Sequence, residues 1–174
     1  LLDNVTPFAA VIQVGHDLRQ WRPNTDYRVG YSADRNRGGG VLRDLSHELD
    51  LAVWLFDGWN SVMAQGGKFS DLEIDSDDVF TLLVATPRCP SVVIHLNYLD
   101  SRLQRGFRLH TDKGTLIADL TDGVLVFGDD QWSFPVARDD TYIAEHDAVL
   151  GETNDPRLCP WDQGMRVVHL IDAA

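Results

Sequence analysis

Cysteine is nearly absent from this chain, which carries only Cys89 and Cys159. Neither has a second cysteine close by, so there is no C-x-x-C redox pair and no zinc-ligand pattern. Both are expected to stay reduced thiols in a cytoplasmic protein, with one long-range disulfide as the alternative. Positive charge is short as well. Fifteen Lys and Arg stand against 27 Asp and Glu, leaving a net charge of −12. So acidic a surface repels phosphate backbones, which argues against nucleic acid as a partner and weakly against anionic membranes. No apolar run approaches the roughly 20 residues needed to span a bilayer. No basic stretch leads into an apolar core at the N-terminus, so no signal peptide is expected. The chain opens on Leu1-Leu2-Asp3 rather than Met. That start fits a piece of a longer protein, and processing would leave the same one.

Nucleotide-binding motifs are also missing. No G-x-G-x-x-G follows a strand and no G-x-x-x-x-G-K-[ST] occurs. Gly38-Gly39-Gly40 lacks that spacing and follows a charged loop instead of a strand. The chain is therefore expected to hold no dinucleotide or nucleoside triphosphate by itself. What is present is ordinary for a globular protein, with 44% hydrophobic and 24% charged residues. Its 174 residues suffice for one domain with a sizeable core.

Periodicity and turn residues predict the elements. A strand over 7–14 is bounded by Pro7 and Gly15. A polar stretch over 16–40 reads as one long loop, and such loops are usually functional or disordered. A helix is predicted over 42–56. Strands follow over 60–69, 79–85, 92–99, 107–110, 115–120, 124–127 and 132–136. Lys113-Gly114, Asp122-Gly123 and Asp129-Asp130 mark the turns among the later ones. Helices over 140–150 and 161–173 close the chain, with Pro156 and Pro160 in the loop between them. This order predicts an α+β fold, a mostly antiparallel open sheet with helices packed on one face. Residues 1–174 read as one unit, without internal repeats.

The helix over 42–56 carries the informative residues. At ~100° per residue, Leu42, Leu45, Leu49, Ala52, Val53 and Phe56 share one face that should pack on the sheet. Asp44, His47, Leu51, Trp54 and Leu55 share the other. That second face is apolar enough to be covered by a domain, a subunit or a substrate. Asp44 and His47 are three residues apart, so their side chains can meet. A carboxylate beside an imidazole orients the ring and stabilises its charged form. That pairing suits a proton acceptor working alongside hydride removal from a hydroxyl-bearing carbon. Many Asp-x-x-His pairs on helices have no such role. Asp44, His47 and Asp50 are a poor metal set, because zinc sites prefer more His or Cys.

The stretch Gly38 to Asp50, followed by Trp54-Leu55-Phe56, resembles the signature helix of the glucose–fructose oxidoreductase/inositol dehydrogenase (Gfo/Idh/MocA) family. Trp21-Arg22-Pro23 and Tyr31-Ser32-Ala33 are similar to that family's loop before the helix. Gly114-Thr115-Leu116 resembles its later hairpin, and Asp162-Gln163-Gly164 through Leu170-Ile171-Asp172-Ala173 its closing helix. The resemblance implies a C-terminal substrate-binding and oligomerisation domain of an NAD- or NADP-dependent oxidoreductase acting on a sugar, sugar derivative or polyol. The dinucleotide would be bound mainly by an N-terminal Rossmann domain lying outside this chain. That domain would also supply a Lys from a Glu-Lys-Pro motif, which does not occur here. The family's catalytic histidine carries onto His47. Its aspartate usually lies four residues earlier, where this chain has Arg43; the acid here is Asp44.

Six further residues are candidates for substrate binding. Tyr98, Arg102 and Arg105 follow a central strand, with solvated loop charge as the competing role for the two arginines. Trp21, Arg22 and Tyr31 either line the pocket or anchor the long loop. His95 and His110 read as structural, and Glu145, His146 and Asp147 as a solvated helix face. A homo-oligomer through the sheet is expected from 92–96, which is apolar on both alternating faces. The alternative to an enzyme domain is a dimerisation or ligand-binding module without catalysis.

Overall fold

Alternation along the first strand settles which side of the sheet is covered. In β1 (Pro7–Gly15), Ala10, Ile12 and Val14 are buried while Val11 and Gln13 face outward. A computed structural model describes residues 4–137, 139–151, 155 and 158–174. In it β1 is followed by α1 (Val41–Asp44), α2 (His47–Phe56), β2 (Ser61–Gly67), β3 (Val79–Ala85) and β4 (Val92–Asn97). Then come β5 (Gln104–Thr111), β6 (Gly114–Asp119), β7 (Val124–Phe127), β8 (Asp130–Ser133), α3 (Asp140–Leu150) and α4 (Trp161–Ala173). The eight strands form one sheet in the order β2-β3-β4-β1-β5-β6-β7-β8. Only the β1–β4 pair is parallel. The α+β architecture expected from the element order is the one observed.

Two apolar rows cross the covered face in register. One runs Val62, Val84, Val92, Ala10, Leu109, Leu116, Phe127; the next runs Ala64, Leu82, Ile94, Ile12, Phe107, Ala118, Leu125. Leu42, Leu45, Leu49, Ala52, Val53 and Phe56 join these rows in one core, as the helical stripe requires. Helix α2 rests on β1 and β4, and α4 packs on α2, adding Val167 and Leu170 to the core. Helix α3 buries only Ala148. No helix of the described residues is long and apolar enough to cross a membrane.

Several boundaries differ from the sequence expectation. The helix over 42–56 is two helices, because Leu45 (φ −102°, ψ 24°) leaves the helical region. Bonds from the amides of Ser46 and Glu48 to carbonyls three residues back tighten the joint. The long loop is not structureless. It folds into four short 3-10 turns over 18–20, 27–29, 31–33 and 35–37. Three of these begin with an aspartate, Asp17, Asp26 or Asp34, whose carboxylate accepts the amide two residues on. β5 starts three residues earlier than predicted, and β8 covers residues placed in the preceding turn. The Pro156 punctuation lies outside the described residues. Cys89 is buried, Cys159 is exposed, and both are free thiols.

Leu49 is fully buried between α2 and the sheet. Leu49→Ala should lower unfolding free energy by about 2–5 kcal/mol, read as a lower urea midpoint at unchanged slope. A midpoint equal to that of the native chain would contradict this packing of α2.

Candidate active site

The glycines before α1 are needed for close approach. Gly40 sits at φ 125°, and a Cβ there would meet the Asp77 carboxylate at 2.3 Å; one on Gly39 would meet the Tyr31 carbonyl at 2.1 Å. Asp77 then caps α1, its backbone carbonyl accepting the Val41 amide (2.9 Å) and its carboxylate the Leu42 amide (3.0 Å). These first amides, which in dinucleotide sites hold phosphate, are therefore already occupied. The start of α1 therefore offers no phosphate cradle, and the glycine fingerprint does not occur in the sequence.

Asp44 ends α1 and its carboxylate accepts the Tyr98 hydroxyl at 2.7 Å. Tyr98 follows β4 and is fully buried. Burial, then the adjacent Asp44 charge, raises its pKa far beyond the ordinary tyrosine value. Its ring meets Trp21 edge-on with centroids 5.2 Å apart, and the Trp21 indole N–H donates to the His16 carbonyl at 3.1 Å. Tyr98 thus holds Asp44 in place. As a residue reaching out to substrate it needs correcting, because none of its surface is accessible and its hydroxyl is engaged.

His47 opens α2 with its side chain about half exposed. The expected Asp44–His47 contact does not form. The joint at Leu45 breaks the continuous helical spacing, and Asp44 turns to Tyr98. The carboxylate beside the imidazole is Glu48, whose Oε1 lies 3.4 Å from His47 Nε2. Sequence reasoning passed over Glu48, which is fully buried and accepts Arg105 Nε at 2.6 Å. Its Oε2 has no hydrogen-bond partner. Burial pushes the Glu48 carboxyl up against the opposing pull of Arg105. Burial also pushes His47 down to about 4, helped by Arg105 and resisted by Asp44 and Asp50. The signal that could have found Glu48 was its partner. Alternation along β5 puts Leu109, Phe107 and Arg105 on the covered face, so Arg105 must meet an anion there.

The remaining candidates divide. Trp21 and Arg22 line a small cavity of about 20 Å³ with Tyr27 and Ser32. Tyr31 is exposed in its 3-10 turn, with its carbonyl packed against Gly39. Arg102 and Arg105 line a depression of about 720 Å³ that also takes in Val11, Gln13, Arg108 and His110. Arg105 lies in β5 and is bonded to Glu48, so it is no loose loop charge, while Arg102 sits in an exposed loop. Of the outward side expected for 42–56, Trp54 is exposed and Leu51 half-buried, but Leu55 is buried in the core. Asp50 turns toward α4, accepting Gln163 Nε2 at 3.3 Å with Cys159 Sγ at 3.8 Å. Asp44, His47 and Asp50 thus face three different partners. Among the described residues no three His, Cys, Asp or Glu side chains are grouped to hold a metal.

A mostly antiparallel open sheet with a helix laid across its covered face is the fold class that the family comparison identifies. The family profile described as the GFO/IDH/MocA C-terminal domain matches residues 9–117, and the chain belongs to that family. Solved structures share the fold at low identity. An NAD binding oxidoreductase from Klebsiella pneumoniae is 18% identical, with a TM-score of 0.76 over 96% of this chain and 55% of its own. UDP-N-acetylglucosamine 3-dehydrogenase from Acidithiobacillus ferrooxidans is 17% identical, TM-score 0.71, over 95% of this chain and 51% of its own. A levoglucosan dehydrogenase in complex with NADH is 16% identical, TM-score 0.74, over 97% and 55%. The chain spans about half the length of these structures. No curated sequence matches it.

The depressed His47 pKa gives a direct expectation. In a ¹H–¹³C titration of this chain, the His47 ring should stay neutral from pH 8 to below the ordinary midpoint of 6.5, and protonate near 4. The unfolded chain binds this proton first, so the His47 contribution to stability is present above pH 6.5 and lost as pH falls toward 4. A midpoint at or above 6.5 would refute the burial argument.

Proposed function

We propose that this chain is the substrate-side domain of a cytoplasmic NAD- or NADP-dependent oxidoreductase acting on a hydroxyl or carbonyl of a sugar, sugar derivative or polyol. The dinucleotide, held by an N-terminal Rossmann domain outside residues 1–174, would supply hydride acceptance. The observation that carries the proposal is the position of His47, a half-exposed imidazole at the head of α2 within the residues that match the family. A neutral imidazole can accept the hydroxyl proton as the carbon gives up hydride, and return it in the reverse direction. The terminal nitrogens of Arg105 make no hydrogen bond among the described residues, so they are free to bind substrate oxygens beside His47. Asp44, fixed by Tyr98, adds negative charge that favours the protonated ring. The dehydrogenase names of the structural relatives support the substrate class.

The test uses the protein carrying its nucleotide-binding domain, assayed on a panel of sugars, nucleotide sugars and polyols with both dinucleotides. His47→Ala should lower turnover on the accepted substrate by ~10²–10⁴-fold. Unchanged turnover would remove His47 from the chemistry, and no turnover with any panel member would favour a non-catalytic module.

The uncovered sheet face supports a homo-oligomer. Met63, Leu83, Val93, Val11, Arg108, Ile117 and Val126 form one row across seven strands, and four of them are exposed apolar residues. A second copy laid on this row face to face would hide it from water. Light scattering should give a dimer or larger for the native chain and a monomer for Leu83→Asp. A native monomer would rule this interface out.

A further inference from the structure

Arg108 is the one charged member of the outward row that runs from Met63 to Val126. Its guanidinium makes no hydrogen bond and no ion pair among the described residues, and neither does that of Arg102. Both arginines line the depression of about 720 Å³, as does Arg105, one of the charges acting on His47. That volume falls within the range of small-molecule sites, roughly 300–1,000 Å³.

Gly106 opens the depression. Alternation along β5 turns Arg105, Phe107 and Leu109 to the covered face, so Gly106 and Arg108 belong to the uncovered one. Register places Gly106 between Gln13 of β1 and Asp119 of β6. A Cβ on Gly106 would meet the Ala118 carbonyl at 2.3 Å, so β5 and β6 approach too closely there for any side chain. Gln13 and Asp119 are left with a gap between them.

The groups around that gap are of two kinds. Arg102 and Arg108 each offer a planar fork of N–H donors with no partner, which suits an oxyanion. Gln13, Asp119 and Asp122 offer the amide and carboxylates that suit hydroxyl groups, which donate as well as accept. Asp119 is fixed in its turn, because its Oδ1 accepts the amides of Thr121 and Asp122, both at 2.9 Å. Its Oδ2 accepts no hydrogen bond among the described residues. A chain with net charge −12 repels anions at a distance, so an anion bound here must be held by local contacts of this sort.

We propose that this depression binds an anionic sugar derivative, a polyhydroxylated small molecule carrying a carboxylate or a phosphate. Arg102 and Arg108 take the oxyanion, and Gln13 and Asp119 take hydroxyls. The site does not depend on the role proposed for His47. Its rival occupant is a second copy of the chain, since Val11, Arg108 and Ile117 also belong to the row proposed as the oligomer face.

The experiment is a ¹H–¹⁵N NMR titration of this chain at an ionic strength of about 0.15 M. The probes are glucuronate, glucose-6-phosphate, glucose and inorganic phosphate. One of the two anionic sugars should bind saturably, about 10- to 100-fold tighter than glucose, and shift the amides of Gly106, Arg108, Ile117 and Asp119. The tighter of the two names the anion. Arg102→Gln and Arg108→Gln should each weaken that binding about 10-fold or more, whereas Arg35→Gln, which removes an exposed charge elsewhere, should not. Glucose binding as tightly, no shift at these amides, or variants that bind like the native chain would overturn the proposal. Inorganic phosphate binding as tightly as the sugars would mean an adventitious ion only, and overturn it too. Binding by the Leu83→Asp monomer but not by the native chain would give the depression to a second copy. None of these readouts involves turnover, so the outcome is independent of His47.

Discussion

Strand β1 is hydrogen-bonded on both edges, parallel to β4 and antiparallel to β5, and the site hangs from that double pairing. Val14 lies beside Leu96 on one side and Arg105 on the other, and Gly15 beside Asn97 and Gln104. One register therefore brings Tyr98, just past β4, and Arg105, near the start of β5, to the same end of the sheet. Helix α2 crosses β1 and β4. Its first turn and the end of α1 meet these two side chains there, Asp44 with Tyr98 and Glu48 with Arg105. A one-residue slip in β5 would send Arg105 to the other face and strand the Glu48 carboxylate.

The two polar pairs solve different problems. The Tyr98–Asp44 bond satisfies a phenol that has no water. The Arg105–Glu48 pair neutralises an anion buried between helix and sheet. Replacing both members of such a pair by apolar groups often costs little stability, whereas removing one is expensive. Structure alone would not demand an ion pair at this place. What the pair contributes is a carboxylate oxygen 3.4 Å from His47 Nε2, and a guanidinium whose terminal nitrogens make no hydrogen bond among the described residues.

Much of the fold was legible in the sequence because the signals were local. Alternation located the strands, turn dipeptides such as Asp122-Gly123 separated them, and α3 and α4 fell where periodicity put them. Strand order was not legible, since placing β1 between β4 and β5 depends on contacts far apart along the chain. The joint at Leu45 was missed because no glycine or proline marks it. His47 stood out by its residue type and by family resemblance. Glu48 did not, since a glutamate next to a helix start is ordinarily a solvated, dipole-favoured residue. Only the position of Arg105 on the covered face of β5 reveals that it is buried.

The segment between β1 and α1 has a further consequence. Its three aspartate-initiated turns each close on themselves within a few residues: Asp17 also pairs with Arg19, and Asp26 with Arg28. The turns are also tied together and outward: Gly30 and Asp34 each end one turn and begin the next, Arg28 pairs with Glu73, and the Ser32 carbonyl accepts the Ser76 hydroxyl. An insertion at Gly30 or Asp34 would therefore disturb two turns at once. A wall built in this way shifts as one piece against residues 73–76, while the helix behind it stays where the sheet has put it.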